Sequence, residues 1–122
     1  MAKIAVACQG QTLDDQVDPR FGRAPNFLIV DLETLEFEVM DNSSIDTVAQ
    51  GAGIQSAQAM ANAGVEAVLS GFVGPRAYQA LNAANIKMGQ GLEGVTVREA
   101  VTRYKAGHVE IASQPSREGH WR

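Results

Sequence analysis

The sequence predicts a mixed α/β sheet with helices on both faces, a three-layer α/β/α arrangement. Three observations carry that expectation. Apolar runs of strand length recur at Lys3–Cys8, Asn26–Leu32 and Val65–Ser70. Between them the apolar spacing switches from the strand period to the helical one, as in Gly53–Gly64. Each such helix then leads into a new strand, which a right-handed parallel crossover accomplishes. A chain of 122 residues allows one domain with one core.

Taken in order, Lys3–Cys8 reads as a buried strand carrying Ile4 and Val6, and Asn26–Leu32 as a second one. Leu35–Met40 alternates, with Leu35, Phe37 and Val39 on one face and Glu36 and Glu38 on the other. It predicts a half-exposed strand paired with its predecessor in an antiparallel hairpin. In Gly53–Gly64, Ile54, Ala57, Met60 and Ala61 form a helical stripe and Gly64 a C-terminal stop. Val65–Ser70 follows as a strand. Pro75 suits the first position of the next helix, whose stripe is Ala77, Ala80, Leu81 and Ala84. Ile86–Met88 reads as a short strand. Thr96-Val97-Arg98-Glu99 has the form of a capping box, opening a helix through Tyr104 that ends at Gly107. The domain is expected over residues 1–107, and His108–Arg122, lacking periodicity, as a flexible tail.

Composition removes several function classes. Ten Lys and Arg against 14 Asp and Glu leave a net charge of −4, which argues against a general nucleic-acid binder. No apolar run approaches the ~20 residues of a membrane span. The first residues carry one Lys and then read as a strand, so no signal peptide is expected and the predicted location is cytoplasmic. Cys8 is the single cysteine, and His108 and His120 are the only histidines. An iron–sulfur cubane or a structural zinc ion takes about four such ligands, so the chain has no self-sufficient metal site. Any inorganic cofactor has to bring its own ligands or be held non-covalently. Cys8, at a strand end, and His108, after the last helix, are the side chains that could touch metal.

Candidate binding residues cluster in four segments. The loop Gln9–Pro25, 17 residues long, exceeds the usual connection length. It carries Arg20-Phe21-Gly22-Arg23, two guanidiniums around an aromatic and a glycine, able to grip an anion or stack on a flat ligand. The plain alternative is that both arginines pair with the loop's own Asp14, Asp15 and Asp18. Gly51-Ala52-Gly53 opens a helix, whose free amides and dipole favour negative charge, although glycines there also serve close packing. Gly71–Pro75 and Gly89–Gly94 each follow a strand and precede a helix. In an open α/β sheet ligands gather beyond the carboxyl ends of strands, the edge where Cys8 and the arginine loop also belong. No acid–base pair and no Ser/His/Asp set is placed by spacing, so catalysis is not expected.

Together these segments resemble a known family. Val17–Val30 with its Pro-Arg-Phe-Gly-Arg-Ala-Pro core, Gly51-Ala52-Gly53-Ile54-Gln55, Gly64-Val65-Glu66-Ala67-Val68 and Gly71-x-x-Gly74-Pro75 carry the likeness. Leu81–Ile86 and Thr96-Val97-Arg98-Glu99-Ala100 extend it over about residues 3–107. The family is that of dinitrogenase iron–molybdenum cofactor biosynthesis, which includes NifX-like carriers, NifB C-terminal-like domains and the orange protein. The resemblance implies a ribonuclease-H-like fold with a five-stranded mixed sheet. It also implies non-catalytic binding or carriage of an anionic molybdenum-containing metal–sulfide cluster, either iron–molybdenum cofactor-like or molybdenum–copper sulfide. Arg20, Arg23 and the amides around Gly22, Gly51, Gly53, Gly71 and Gly74 would then supply charge and hydrogen bonds, with Phe21 and Met88 as apolar or soft walls. Cofactor-assembly or regulatory proteins are the partners it suggests. Two other readings stand beside it: a regulatory or scaffold protein that binds a partner protein without any cofactor, and a small enzyme acting on a phosphorylated substrate.

Overall fold

The computed structural model describes residues 2–41 and 52–111. The elements are β1 (Lys3–Cys8), β2 (Asn26–Asp31), β3 (Phe37–Asp41), α1 (Ala52–Ala63), β4 (Ala67–Leu69), α2 (Pro75–Ala83), β5 (Lys87–Gln90), α3 (Val97–Lys105) and β6 (Glu110–Ile111). They form one sheet in the order β3-β2-β1-β4-β5-β6. β1, β4 and β5 are parallel neighbours, while β2, β3 and β6 run antiparallel to the strands they pair with.

Strand alternation builds two cores. Ala5 and Ala7 of β1, Phe27 and Ile29 of β2 and Val68 of β4 face α1 and α2, meeting Ala57, Met60, Ala77 and Leu81. Ile4, Val6 and Cys8, Leu28 and Val30, and Ala67 and Leu69 face α3, meeting Val97, Ala100 and Val101. β1 and β2 are buried on both faces, which is why they read as continuous apolar runs. The three-layer α/β/α class therefore holds.

The sheet has six strands among the described residues, not five. β6 lies in the stretch read as a tail and is two residues long, too short to leave a period in the sequence. Its approach explains Gly89: a Cβ there would lie 2.5 Å from Val109 Cγ1 and 2.6 Å from Leu69 Cδ2. β5 accordingly runs on to Gln90, two residues beyond the expected end. Leu35 belongs to the hairpin turn and not to β3. Its φ is 66°, its N–H donates to Asp31 O, and Asp31 Oδ1 accepts from Glu33 N and Thr34 N at 2.8 and 3.2 Å.

The helix ends follow from local chemistry. Thr96 Oγ1 accepts from Glu99 N at 3.1 Å, half of the expected capping box; Glu99 instead takes Arg103 Nε at 2.9 Å. At the other end His108 N donates to Arg103 O and Gly107 N to Tyr104 O, with Gly107 at φ 78°. That pair of bonds is a Schellman motif.

Candidate functional site at the carboxyl edge of the sheet

The loop after β1 is held in place by backbone bonds to three other segments. Its first half extends the sheet: Gln9 N donates to Gln16 O at 3.0 Å and Asp18 N to Ala7 O at 2.8 Å. Val17 N reaches Val95 O, while Val97 N and Arg98 N reach back to Asp15 O and Leu13 O. Buried Leu13 and Val17 fix this half to the α3 core. Asp15 closes the tip, accepting from Gln11 N, Thr12 N and Thr12 Oγ1 at 2.9–3.0 Å. Those bonds, the Thr12 hydroxyl first, hold its carboxyl below the usual carboxylate range.

The second half lies along the β4–α2 turn. Gly71 N donates to Asp18 O, Phe72 N to Pro19 O and Phe21 N to Phe72 O, at 2.9–3.2 Å. Gly91 N then donates to Gly71 O at 2.8 Å, and Gln90 Oε1 accepts from Val73 N at 3.0 Å. The arginine loop, the β4–α2 turn and the β5–α3 turn are thus one hydrogen-bonded platform at the ends of the parallel strands. Gly74 caps α2 on the same edge, with open space where a Cβ would stand. Gly53 lies in the first turn of α1, which runs from this edge to the start of β4. Gly51 lies outside the described residues.

Arg20 and Arg23 are exposed on this platform, flanking partly exposed Gly22. The loop's carboxylates are engaged elsewhere: Asp14 pairs with Arg98 Nε at 3.2 Å, Asp15 closes the loop, and Asp18 accepts from the Arg20 backbone N–H at 2.8 Å. Among the described residues the salt bridges are Arg98–Asp14 and Arg103–Glu99, so neither guanidinium is consumed by the pairing that the loop's acids offered. Arg76, exposed in the first turn of α2, adds a third guanidinium that the sequence reading passed over. Its signal was the Gly-Pro-Arg order, which places Arg76 second in the helix.

Two expected walls are corrected. Phe21 is 1% exposed, its ring 5.1 Å from that of Phe27, and Met88 is 2% exposed in the core under α1 and α2. Both side chains are covered and offer no surface to a ligand; Phe21 instead anchors the loop so that its flanking arginines point outward. Cys8 and His108 are not brought together. Cys8 is fully buried, its Sγ 3.9 Å from Thr12 O, and burial, with Asp15 and Asp18 nearby, pushes its thiol pKa up. Such a thiol is not a thiolate at neutral pH. His108 follows the C-terminus of α3, at the opposite edge, where Tyr104 Oη donates to Glu66 at 2.6 Å. Among the described residues no three His, Cys, Asp or Glu gather to hold a metal ion, and no helix is long and apolar enough to cross a membrane.

Comparison with known proteins supports the fold and identifies the family. Over residues 2–107 the chain matches the family described as "Dinitrogenase iron-molybdenum cofactor". The apo form of the orange protein from Desulfovibrio gigas is 50% identical, with a TM-score of 0.92 over 96% of this chain and 98% of that one. A candidate NifB protein from Thermotoga, of the DUF35 family, is 36% identical with a TM-score of 0.81, over 98% and 100% of the two chains. An uncharacterized protein of Methanocaldococcus jannaschii is 35% identical over 68 residues, 53% of this chain. That match spans only 57% of the curated relative's length. The chain is a member of the dinitrogenase iron–molybdenum cofactor family.

Proposed function

We propose that the protein binds and carries an anionic, molybdenum-containing metal–sulfide cluster, held on the carboxyl-edge platform without turnover. The observation that carries this reading is the exposed Arg20–Arg23 pair on a hydrogen-bonded loop whose own acids are bound elsewhere. Guanidiniums hydrogen-bond and attract an anion without ligating metal. That suits a cargo arriving with its own sulfide ligands, because Cys8 is buried and protonated. Family membership and the likeness to the orange protein support a cluster as that anion. Arg20 and Arg23 bind charge, Arg76 adds to the field, and the amides around Gly22 and Gly74 line the approach. The cluster fits either description, iron–molybdenum cofactor-like or molybdenum–copper sulfide, and cofactor-assembly proteins are its natural donors and acceptors.

The test is retention. Anaerobic protein loaded with copper and tetrathiomolybdate is expected to keep molybdenum and its charge-transfer absorption through gel filtration. An Arg20→Gln/Arg23→Gln double variant should lose most of both while keeping its thermal midpoint. Equal retention by the double variant would sink this site.

A further inference from the structure

We propose that the outer edge of β3 accepts an extended segment of a partner protein in which apolar and basic residues alternate. β3 is the terminal strand of the sheet, and among the described residues nothing pairs with its outer side. The phase of the ladder decides which main-chain groups are left there. Asp31 N donates to Glu36 O, and on the other side of β2 Leu32 N donates to Ala2 O. Antiparallel pairs alternate between bonded and non-bonded, so Glu36 and Glu38 turn their main chain toward β2. Phe37 and Val39 turn theirs outward. The same two residues carry the exposed apolar side chains of this strand, 37% and 41% accessible, on the α3 face beside Leu28 and Val30. Among the described residues, outward-turned backbone and exposed apolar surface therefore coincide.

Among the described residues, three of the usual protections of an edge are missing. β3 holds no Lys, no Pro and no bulge. Its other face is acidic, with Glu36 and Glu38 exposed. The surrounding sequence strengthens that sign: residues 24–75 contain no Lys or Arg but seven of the 14 acidic residues. A second copy of the chain is the wrong occupant. Antiparallel pairing about Val39 would set Phe37 against Asp41 and bring the two Glu38 side chains to diagonal neighbours. A heterologous strand with Val- or Phe-type residues facing Phe37 and Val39, and Lys or Arg facing Glu36 and Glu38, satisfies backbone, apolar and charged groups at once. This surface is separate from the arginine platform, so the two readings stand or fall independently.

The experiment uses the full isotope-labelled chain and two capped probes, Lys-Val-Lys-Val-Lys-Val-Lys and its Glu-Val counterpart. The basic probe is expected to shift the amides of Phe37 and Val39 and to slow their exchange by about tenfold or more, as a formed ladder does. Val39→Pro should abolish this, because the N–H it removes serves only the outer edge, where proline is tolerated. A Glu36→Lys/Glu38→Lys variant should lose the basic probe and gain the acidic one, which also covers the case in which Val39→Pro misfolds. Absence of protection with the basic probe, equal binding of both probes, or shifts confined to other strands would overturn the proposal. So would a concentration-dependent dimer protected at β3 without any peptide.

Discussion

Gly71 and Pro19 are in contact so close that no side chain fits between them. A Cβ on Gly71 would overlap the Pro19 carbonyl oxygen and lie 2.6 Å from its Cα. The contact joins the arginine loop to the β4–α2 turn, because the bonds from Gly71 N to Asp18 O and from Phe72 N to Pro19 O flank it. Backbone atoms on both sides cannot yield as a flexible side-chain tip would. Gly71→Ala should therefore cost about 1–3 kcal/mol, the range for overpacking. It should also weaken cluster retention by displacing Arg20 and Arg23. Urea titration with the retention assay checks both, and an unchanged urea midpoint would show that the loop adapts freely.

Cys8 makes the opposite prediction for function. Its side chain is buried between β1 and α3, and its thiol pKa is raised by desolvation first and by Asp15 and Asp18 after. Native protein should react with a disulfide reagent only as fast as it opens, whereas unfolded protein should react at once. Cys8→Ala should cost about 1 kcal/mol through the small cavity it leaves. Cluster retention should be unchanged. Rapid labelling of the native state would return Cys8 to the list of metal ligands.

Much of this was legible in the sequence, for identifiable reasons. Ile4 and Val6 in β1 and Leu28 and Val30 in β2 sit in runs buried on both faces, and burial of that kind leaves continuous apolar stretches. Arg20 and Arg23 were legible because residue type and spacing alone specify two cations on one loop. Phe21 was misjudged because an aromatic residue between two arginines reads equally as a ligand wall or as an anchor, and only its contact with Phe27 decides. Met88 was misjudged because one turn of the pleat separates a core position from a surface one. The Asp15 clamp and the Pro19–Gly71 contact were beyond reach: each depends on how the loop folds back, which no local period encodes. The exposed Phe37–Val39 face was legible as an alternating strand, but its exposure among the described residues depends on α3 lying over β1 and its neighbours.

Tyr104 ties α3 to the loop before β4 through its 2.6 Å bond to Glu66. Desolvation, then the bond to and charge of Glu66, raise its pKa well above the ordinary phenol value near 10. The folded state thus keeps a proton that the unfolded chain releases. This stabilisation is complete below about pH 10 and declines as pH rises toward the folded value. Unfolding free energy should fall with pH above about 10, and Tyr104→Phe should flatten that slope. At neutral pH the same variant should cost about 0.5–1 kcal/mol for the lost hydrogen bond. Denaturant titrations at several alkaline pH values would decide it, with parallel slopes in parent and variant counting against the pair.

Asp15 gives the acid counterpart. Its carboxylate accepts from the Thr12 hydroxyl and from the amides of Thr12 and Gln11, and these bonds depress its pKa. A group depressed in the folded state contributes stability that is present above its unfolded pKa, near ~4, and lost as pH falls through the folded value. Asp15→Asn keeps an oxygen acceptor but not the charge, so it should be weaker at pH 6 and less sensitive between about pH 5 and 3. Because Asp15 shapes the loop tip and Arg20 and Arg23 lie on the loop's other half, the arginines should keep their chemical shifts in this variant. Loss of those shifts together with the acid slope would mean that the two halves of the loop fold as one unit, with the clamp at Asp15 setting the position of the guanidiniums.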